Sequence, residues 1–312
     1  MILAIDTSCY TTSMALIDES GEIIRDSRQL LQVKPGENGL QQSAAIFQHL
    51  GNLPLLFENF TEGRLVQMII ASATPRPIKE AYLPVFKAGA SFGATIARLL
   101  QVPYYTTSHQ EGHIRAGLFR QTSSSEPFLA WHLSGGTTEL LKVTPHTHGY
   151  QIQIIGGTSD LQVGQFIDRV GVALGTSFPA GPYLEKLAQK SDTQDALSVG
   201  IHGLNISFSG PESAAQRLIK AGTDASEIAR RVFNCIGKIL VRVTLEAAQK
   251  YQLKRVLFVG GVASNEIIRD ILTSMMQNQD IDIIFAPQDL SGDNAVGVGL
   301  IGYDRIVKGG LI

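Results

Sequence analysis

Two histidines separated by four positions have the spacing in this chain that most directly suggests chemistry. They are the first and last residues of the segment His109-Gln110-Glu111-Gly112-His113. In a helix, residues four apart lie on one face, one turn from each other, and can present two imidazoles to one metal ion. Histidines on a solvated helix face, or buried with hydrogen-bond partners, show the same spacing, so the pair alone leaves both interpretations open.

The position of Glu111 argues against a zinc protease. In those enzymes the glutamate directly follows the first histidine and acts as general base, whereas Glu111 lies two positions from each histidine and points to another side of a helix. No Ser/His/Asp or Cys/His set stands out elsewhere, so proteolysis is the weakest interpretation. The pattern favours a metal that holds a ligand over one that activates water.

A short polar segment near the end of the chain contains a third candidate ligand. In Ser291-Gly292-Asp293-Asn294, which precedes a small-residue helix predicted at 295–303, Asp293 has two interpretations. It caps that helix, or it supplies the carboxylate that completes a site with two histidines.

Composition limits the class of protein. A chain of 312 residues suits two domains, and 44% hydrophobic with 17% charged residues is typical of globular proteins. The net charge of −2 gives no electrostatic case for nucleic acid, so such a partner needs a local basic patch. Cys9 and Cys235 form neither a disulfide framework nor a thiolate metal site. With an apolar start, no basic leader and no run of membrane-spanning length, we expect a cytoplasmic protein that crosses no membrane.

A short internal repeat predicts the architecture. Residues 2–17 are predicted to form strand, polar turn and strand, and the same pattern recurs at 128–143, with Ser134 lying 126 positions after Ser8. Two such hairpins, each opening an α/β domain, indicate a duplicated fold with a cleft in which turn N–H groups cradle phosphates.

The remaining elements follow from periodicity. The predictions are a third strand at 22–25, a helical region broken at Pro54, a buried strand at 65–73, a small-residue helix at 81–100, a long core helix at 225–250, and a strand, Gly-Gly turn and helix over 256–276. The glycines and alanines of helix 81–100 are interpreted first as a close packing face, and the helix start near residue 266 favours anionic groups.

Many short motifs in order carry a family resemblance over nearly the whole chain. They are Ile5-Asp6-Thr7-Ser8-Cys9, the segment 109–113, Leu133-Ser134-Gly135-Gly136-Thr137, and the segments 164–169, 178–182, 207–210, 259–265 and 292–294. Together they resemble the TsaD family of tRNA threonylcarbamoyladenosine synthases, within the actin/sugar-kinase-like ATPase superfamily. The resemblance implies an α/β fold of two lobes around a central cleft. These are 1–125, with the metal-ligand helix, and 126–312, with a helical insertion near 160–225 and a last helix that packs back on the first lobe.

The resemblance also implies ligands and a reaction. His109, His113 and Asp293 would bind one divalent iron or zinc ion. ATP or threonylcarbamoyl-AMP would be held by Leu133, Ser134, Gly135, Gly136, Thr137, Asp168, Gly181 and Asn265. Asp168 suits a ribose hydroxyl. The implied reaction is acyl transfer: the exocyclic amine of the adenosine beside a tRNA anticodon attacks the carbamoyl carbon, and AMP leaves.

Three segments depart from the family pattern. After Ser8-Cys9 the family continues Asp-Glu-Thr, whereas this chain has Tyr10, Thr11 and Thr12. Thr11 and Thr12 would lie near the reaction centre, but no catalytic residue is assigned. The glycine-rich turn after residue 73 is replaced by 74–80, and the Leu-Lys-Thr expected after residue 210 by Pro211-Glu212-Ser213. The changed residues lie on the acceptor side, which predicts a divergent paralogue.

Three functions therefore remain open. The first is threonylcarbamoyl transfer to tRNA with small TsaB-like and TsaE-like partner proteins, and a homo- or heterodimer through helix 81–100. The second is transfer from an adenylate or ATP to another acceptor, since a fold does not fix function. The third is a nucleotide-binding, non-catalytic partner of a true synthase, against which the combination of His109, His113 and Asp293 counts.

Overall fold

Apolar strands separated by polar turns build two sheets, one assigned to each of two units. The computed structural model describes residues 1–8, 10–33, 40–58, 60–78, 80–121 and 125–309, so Cys9 and Lys79 lie outside the described residues. Unit 1 contains Met1–Glu126, Thr144–Gln151 and Pro287–Ile312, and unit 2 contains Pro127–Val143 and Ile152–Ala286. The first division lies between Glu126 and Pro127, and the later segments 144–151 and 287–312 group with unit 1. The lobes 1–125 and 126–312 stay a prediction.

Unit 1 has a mixed sheet with helices on both faces. Its strands are β1 (Ile2–Thr7), β2 (Thr11–Ile17), β3 (Ile23–Leu30), β4 (Met68–Thr74) and β5 (Tyr104–Ser108). Its helices are α1 (Gln42–Leu56), α2 (Phe86–Leu100), α3 (His109–Gly117) and the last helix of the chain, Val296–Gly309. The sheet order is β3-β2-β1-β4-β5, with β1 antiparallel to β2 and parallel to β4.

Small residues let helices pack close to this sheet. The side chains of β1 alternate between faces, and Ile5 and Thr7 face α2, where a Cβ on Gly89 would meet both. Ala4 faces the last helix, where a Cβ on Gly299 would meet it. The interpretation of helix 81–100 as a close packing face on a sheet is therefore confirmed.

Unit 2 repeats this plan with additions. Its strands are β6 (Phe128–Leu133), β7 (Thr138–His146), β8 (Gly149–Thr158), β9 (Gly200–His202), β10 (Asn205–Ser207), β11 (Arg255–Val259) and β12 (Asp282–Phe285), the tips of β7 and β8 grouping with unit 1. Its helices are α4 (Val163–Ala173), α5 (Gly181–Ala188), α6 (Ser209–Lys220), α7 (Ala225–Tyr251) and α8 (Glu266–Met276). The last helix, Val296–Gly309, is α9.

The two sheets share one strand order. Unit 2 reads β12-β11-β6-β7-β8, followed by β10 and β9, which matches the order β5-β4-β1-β2-β3 of unit 1. The opening hairpins correspond, since β6 pairs antiparallel with β7 and parallel with β11 as β1 does with β2 and β4. This equivalence confirms the duplicated fold predicted from the repeated polar turn.

Several element boundaries differ from the predictions. Helix α2 begins at Phe86 rather than near 81, just after Pro84, a residue that lacks the N–H a helix interior needs. Pro54 lies inside α1, which ends two residues later at Leu56, so Pro54 marks the last turn and not a break. Helix α9 extends to Gly309, beyond the expected 303. Across the described ranges, no helix combines the length and apolarity needed to span a bilayer.

Candidate metal centre and nucleotide site

Helix α3 places both histidines of the segment 109–113 on one face. The helix starts at His109 because Ser108 caps it, its hydroxyl accepting from the Glu111 N–H while the Glu111 carboxylate accepts from the Ser108 N–H. One turn then separates the imidazoles, with their Nε2 atoms 3.1 Å apart. The predicted helical presentation of the pair is therefore confirmed.

Asp293 completes a cluster with the two histidines. Its Oδ1 lies 3.2 Å from the His113 Nε2 and 3.4 Å from the His109 Nε2. One ligand atom from each residue falls within 4.8 Å of the others, an arrangement that could hold a metal ion. The capping role considered for Asp293 is taken by its neighbour Asn294. The Asn294 side chain accepts from the Gly297 N–H in the first turn of α9.

A glycine contact brings Asp293 to the histidines. Gly297 of α9 lies against α3 so closely that a Cβ there would overlap the carbonyl oxygen of Gly112. The glycine inside the two-histidine segment therefore faces the helix that follows Asp293. Asn294 fixes the connecting turn by donating to the carbonyls of Leu290 and Gly292.

Asp6 of β1 and Ser8, which follows β1, hold the candidate ligands. The fully buried Asp6 places its Oδ2 2.8 Å from the His109 Nδ1, and Ser8 donates to the Asp293 Oδ2 over 2.9 Å. An Asp–His pair of this kind leaves the Nε2 lone pair directed at a metal. The motif Ile5-Asp6-Thr7-Ser8-Cys9 does not by itself indicate a role for Asp6 or Ser8. A carboxylate ending the apolar strand Ile2–Thr7 was the available signal, because a buried charge requires a partner.

The charges of the cluster suit a cation. Burial lowers the pKa of His109, but the carboxylates of Asp6 and Asp293 outweigh it and raise that pKa well above the usual value. Burial raises the pKa of Asp293, and the two histidines outweigh it and hold that pKa well below its usual value. Oδ1 of Asp6 is buried without a hydrogen-bond partner in the described part of the chain. With neutral imidazoles, two nitrogen lone pairs and a carboxylate oxygen converge, and a divalent ion fits that donor set.

Replacing Asp6 by asparagine tests its support of His109. We expect Asp6→Asn to weaken Zn²⁺ binding about 10- to 100-fold, the usual cost of losing an outer partner of a metal ligand. Chelator competition on purified protein measures the affinity. Asp280→Asn, at an exposed surface ion pair, is the matched control and should bind as the wild type does. Equal affinity in D6N would contradict the assigned support.

Glu111 has a structural role. It is buried, its Oε2 accepts from the Thr107 hydroxyl and from the N–H and hydroxyl of Ser108, and its Oε1 accepts from the Tyr150 N–H over 3.1 Å. These contacts join the start of α3 to the 144–151 segment of unit 1. The sequence-based argument that Glu111 is not a proteolytic base agrees with these contacts.

Glu111→Gln is expected to cost stability. A glutamine presents one acceptor oxygen and an NH₂ group to four donors, which leaves buried donors unpaired at about 1–3 kcal/mol each. We predict a loss of about 2 kcal/mol in the free energy of unfolding, measured by urea denaturation. Glu246→Gln, on the exposed face of α7, should leave the midpoint unchanged. A midpoint in E111Q equal to that of the wild type would refute this role.

Tyr10, Thr11 and Thr12, the residues that depart from the family pattern after Ser8-Cys9, differ in exposure. Tyr10 is 39% exposed, whereas Thr11 and Thr12 are buried. Thr12 Oγ1 lies 2.9 Å from the His49 Nδ1 and accepts from Asn52. No side chain of this turn that the structure describes offers a carboxylate.

In unit 2, the residues predicted to bind the nucleotide lie on segments that contact one another in a ring. The turn between β6 and β7 closes through Ser134 N–H to Thr137 O at 2.8 Å, and Gly135 and Gly136 have open space where a side chain would be. Beneath it, a Cβ on Gly164 of α4 would meet the Gly135 Cα. The same close fit recurs at the Gly-Gly turn, where a Cβ on Gly260 would overlap the Leu133 carbonyl.

The other side of the ring carries two carboxylates. Asp168 of α4 accepts from the Ala180 N–H at 2.7 Å, directly before Gly181 begins α5. Asn265 caps α8 by accepting from the Ile268 N–H, and Glu185 of α5 accepts from the Glu266 N–H. Burial raises the pKa values of Asp168 and Glu185. Glu185 was missed by the sequence analysis, since a glutamate inside a short helix carries no local signal.

The third departure from the family pattern also has a structural account. Asp160 accepts from the Ser207 hydroxyl at 2.6 Å and from the N–H groups of Phe208 and Ser209, at the start of α6. Pro211 is buried in the first turn of α6, where a missing N–H costs nothing. Residues 211–213 therefore continue a capped helix and supply no cation.

Two known proteins are similar to this chain along nearly its full length. A tRNA N6-adenosine threonylcarbamoyltransferase of Thermotoga neapolitana is 28% identical over 316 residues, covering 99% of this chain and 95% of that protein. One of Prochlorococcus marinus subsp. pastoris is 28% identical over 324 residues, covering 98% and 90%.

Solved structures show the same architecture at low identity. The (R)-2-hydroxyglutaryl-CoA dehydratase component A of Acidaminococcus fermentans has a TM-score of 0.57 at 18% identity, covering 98% of this chain and 99% of that one. A ROK family glucokinase of Streptomyces griseus has a TM-score of 0.54 at 10% identity, covering 96% and 97%. Full-length HypF has a TM-score of 0.62 at 12% identity, and this chain covers 46% of it. These likenesses confirm the actin/sugar-kinase-like fold.

The family model described as TsaD, tRNA N6-adenosine threonylcarbamoyltransferase, matches residues 85–300, from α2 through the metal-ligand helix to the first turns of α9. A match over more than half of the chain confirms the resemblance of its motifs, and the chain belongs to the TsaD family.

Proposed function

We propose that this protein transfers the threonylcarbamoyl group of threonylcarbamoyl-AMP to the exocyclic amine of the adenosine beside a tRNA anticodon. It does so with one divalent metal ion, iron or zinc. The observation that carries the proposal is the convergence of His109, His113 and Asp293 in a chain of this family. Support also comes from relatives along nearly the full length that are named for this transfer.

We assign two parts of the chemistry to two separate groups of residues. In unit 2, the backbone of Gly135 and Gly136 holds the phosphate, and Asp168, with one oxygen engaged by Ala180, accepts from a ribose hydroxyl with the other. In unit 1, Asp6 and Ser8 hold His109 and Asp293 in place. A bound metal ion supplies Lewis-acid polarisation of the carbonyl and charge compensation for the departing phosphate.

The transfer forms one bond and breaks one. The amine nitrogen bonds to the carbamoyl carbon, the bond from that carbon to the phosphate oxygen breaks, and AMP leaves with the electron pair. The amine nitrogen also loses a proton, which passes to the leaving AMP phosphate or to water, because the Tyr10 and Thr11 hydroxyls cannot accept it at neutral pH. We expect Thr11 and Thr12 near this centre, and we assign neither of them a catalytic role.

A second candidate function rests on that altered turn. Tyr10 and Thr11 stand where the TsaD family has two carboxylates. The candidate metal ligands and the predicted nucleotide-binding residues are retained. This combination favours a paralogue that uses ATP or another acyl- or carbamoyl-adenylate with a different acceptor. A non-catalytic partner of a true synthase is the further alternative.

Nucleoside mass spectrometry separates these functions. Unmodified tRNA is incubated with the protein, threonylcarbamoyl-AMP and the TsaB-like and TsaE-like proteins, with His109→Ala in parallel. Product that requires His109 supports transfer to tRNA. The second candidate is supported if the wild-type protein binds metal and nucleotide but forms no product, and if product appears when Tyr10-Thr11 are replaced by Asp-Glu. The non-catalytic alternative is supported if H109A keeps both nucleotide binding and its function as a partner of a true synthase.

We further place the protein in the cytoplasm, with TsaB-like and TsaE-like partners, in a homo- or heterodimer through the helix near 81–100. Since the glycine face of α2 lies on β1, a partner would contact its outer face, where Leu99 is 81% exposed. On the neighbouring α1, Phe47 is 80% exposed. Exposed apolar side chains of this size support a protein contact.

A further inference from the structure

A buried histidine outside the ligand set lies behind the first turn of unit 1. His49 of α1 is fully buried, and its Nδ1 is 2.9 Å from the Thr12 hydroxyl. The Asn52 side chain donates to the same hydroxyl over 3.2 Å. Three polar side chains from α1 and β2 thus form a chain of hydrogen bonds inside the unit.

Two hydrogen bonds meet at the Thr12 hydroxyl: it accepts one from the Asn52 side chain and forms the other with the His49 Nδ1. Nε2 is buried and has no hydrogen-bond partner within the described ranges. Burial lowers the pKa of His49, while the backbone of Ser8 and the carboxylates of Asp6 and Asp293 raise it in part. These influences place the ring near the backbone of Ser8.

Ser8 connects this ring to the candidate metal ligands. Its hydroxyl donates to the Asp293 Oδ2 over 2.9 Å, leaving Oδ1 toward the two histidines. The backbone of Ser8 must be fixed for that hydroxyl to select one oxygen. Thr12 pairs with Thr7 across the hairpin, at the end of β1 that Ser8 follows, and its hydroxyl is hydrogen-bonded to His49.

We propose that His49, held by Thr12 and Asn52, is a positioning residue of the metal centre that fixes the turn of Ser8 and through it the orientation of Asp293. This inference rests on the proposed metal function of the cluster. It assigns to the first turn a task that needs no carboxylate, which agrees with Tyr10 and Thr11 in this chain. A histidine that only fills the core would influence folding and leave the metal geometry unchanged.

Thr12→Val tests the proposal with little change of shape, since it removes the hydroxyl and keeps the branched side chain. Thr244→Val is the matched control, because Thr244 is equally buried and accepts from the Trp131 indole N–H at 2.9 Å in unit 2. Each variant is stripped of metal and titrated with Zn²⁺ against a chelator, and with Co²⁺ to record the absorption bands of the bound ion. Thermal unfolding measures the loss of stability in both.

The expected result is a Zn²⁺ affinity about tenfold weaker and shifted Co²⁺ bands in T12V, with wild-type values in T244V, although both variants lose stability. Ser8→Ala should weaken binding similarly, and the double variant S8A/T12V should add little, because both act through one chain of contacts. Wild-type affinity and bands in T12V would overturn the inference while leaving the metal site intact. Absence of Zn²⁺ binding by the wild-type protein would overturn both this inference and the proposed metal function.

Discussion

His113→Ala is expected to remove stoichiometric metal binding. His113 would supply one of two imidazole nitrogens, its side chain is 3% exposed, and its Nε2 lies within 3.2 Å of both other candidate ligand residues. Alanine leaves two ligands, of which Asp293 is partly exposed. Loss of an outer partner costs a metal site about 10- to 100-fold in affinity, and loss of a ligand costs more, so we expect at least about 10³-fold. Metal content by mass spectrometry after dialysis measures it.

The control for this variant is another histidine replaced by alanine. His202 lies exposed on β9 of unit 2, so His202→Ala should keep the metal content of the wild type. Far-ultraviolet circular dichroism on both variants separates loss of metal from loss of fold. A folded H113A protein that retains one metal ion per chain would exclude His113 as a ligand.

Gly297→Ala is expected to be the most destabilising single-methyl change at the metal centre. A Cβ at this position would overlap the Gly112 carbonyl and come close to the Ala116 N–H, which are backbone atoms that a rotamer change cannot move. Helices α3 and α9 must separate, which carries Asp293 away from the histidines. Overpacking typically costs about 1–3 kcal/mol, and we expect about 3 kcal/mol here with weaker Zn²⁺ binding. Urea unfolding and chelator competition measure the two effects.

Gly51→Ala is the matched control for that substitution. Gly51 lies inside α1 with nothing within 4 Å of an added Cβ. The same chemical change should therefore stabilise the protein by about 0.5–1 kcal/mol, because alanine favours a helix over glycine. If both variants shift stability in the same direction and by the same amount, the close contact of α3 with α9 does not govern this site.

Local sequence was sufficient for the elements that carry the motifs. The apolar run from Ile2 and the polar turn after it predicted the β1–β2 hairpin, and the repeat of this pattern predicted the second. Helix α8 begins and ends where periodicity placed it, and α7 differs by one residue. These signals depend on neighbouring residues, which the sequence displays directly. The start of α2 was missed because the residues before Pro84 are helix formers that the proline overrides.

The sequence by itself determined the spacing of His109 and His113, the repeated hairpin of a duplicated fold and, through the motifs, the family. The tertiary structure decided where Asp293 lies, because its distance from the histidines depends on the contact between Gly112 and Gly297, far apart in the chain. It also assigned roles to Asp6, Ser8 and His49, whose partners lie on other elements. Helical spacing is a local property of the chain, whereas a metal centre requires donors to converge from segments that only packing brings together.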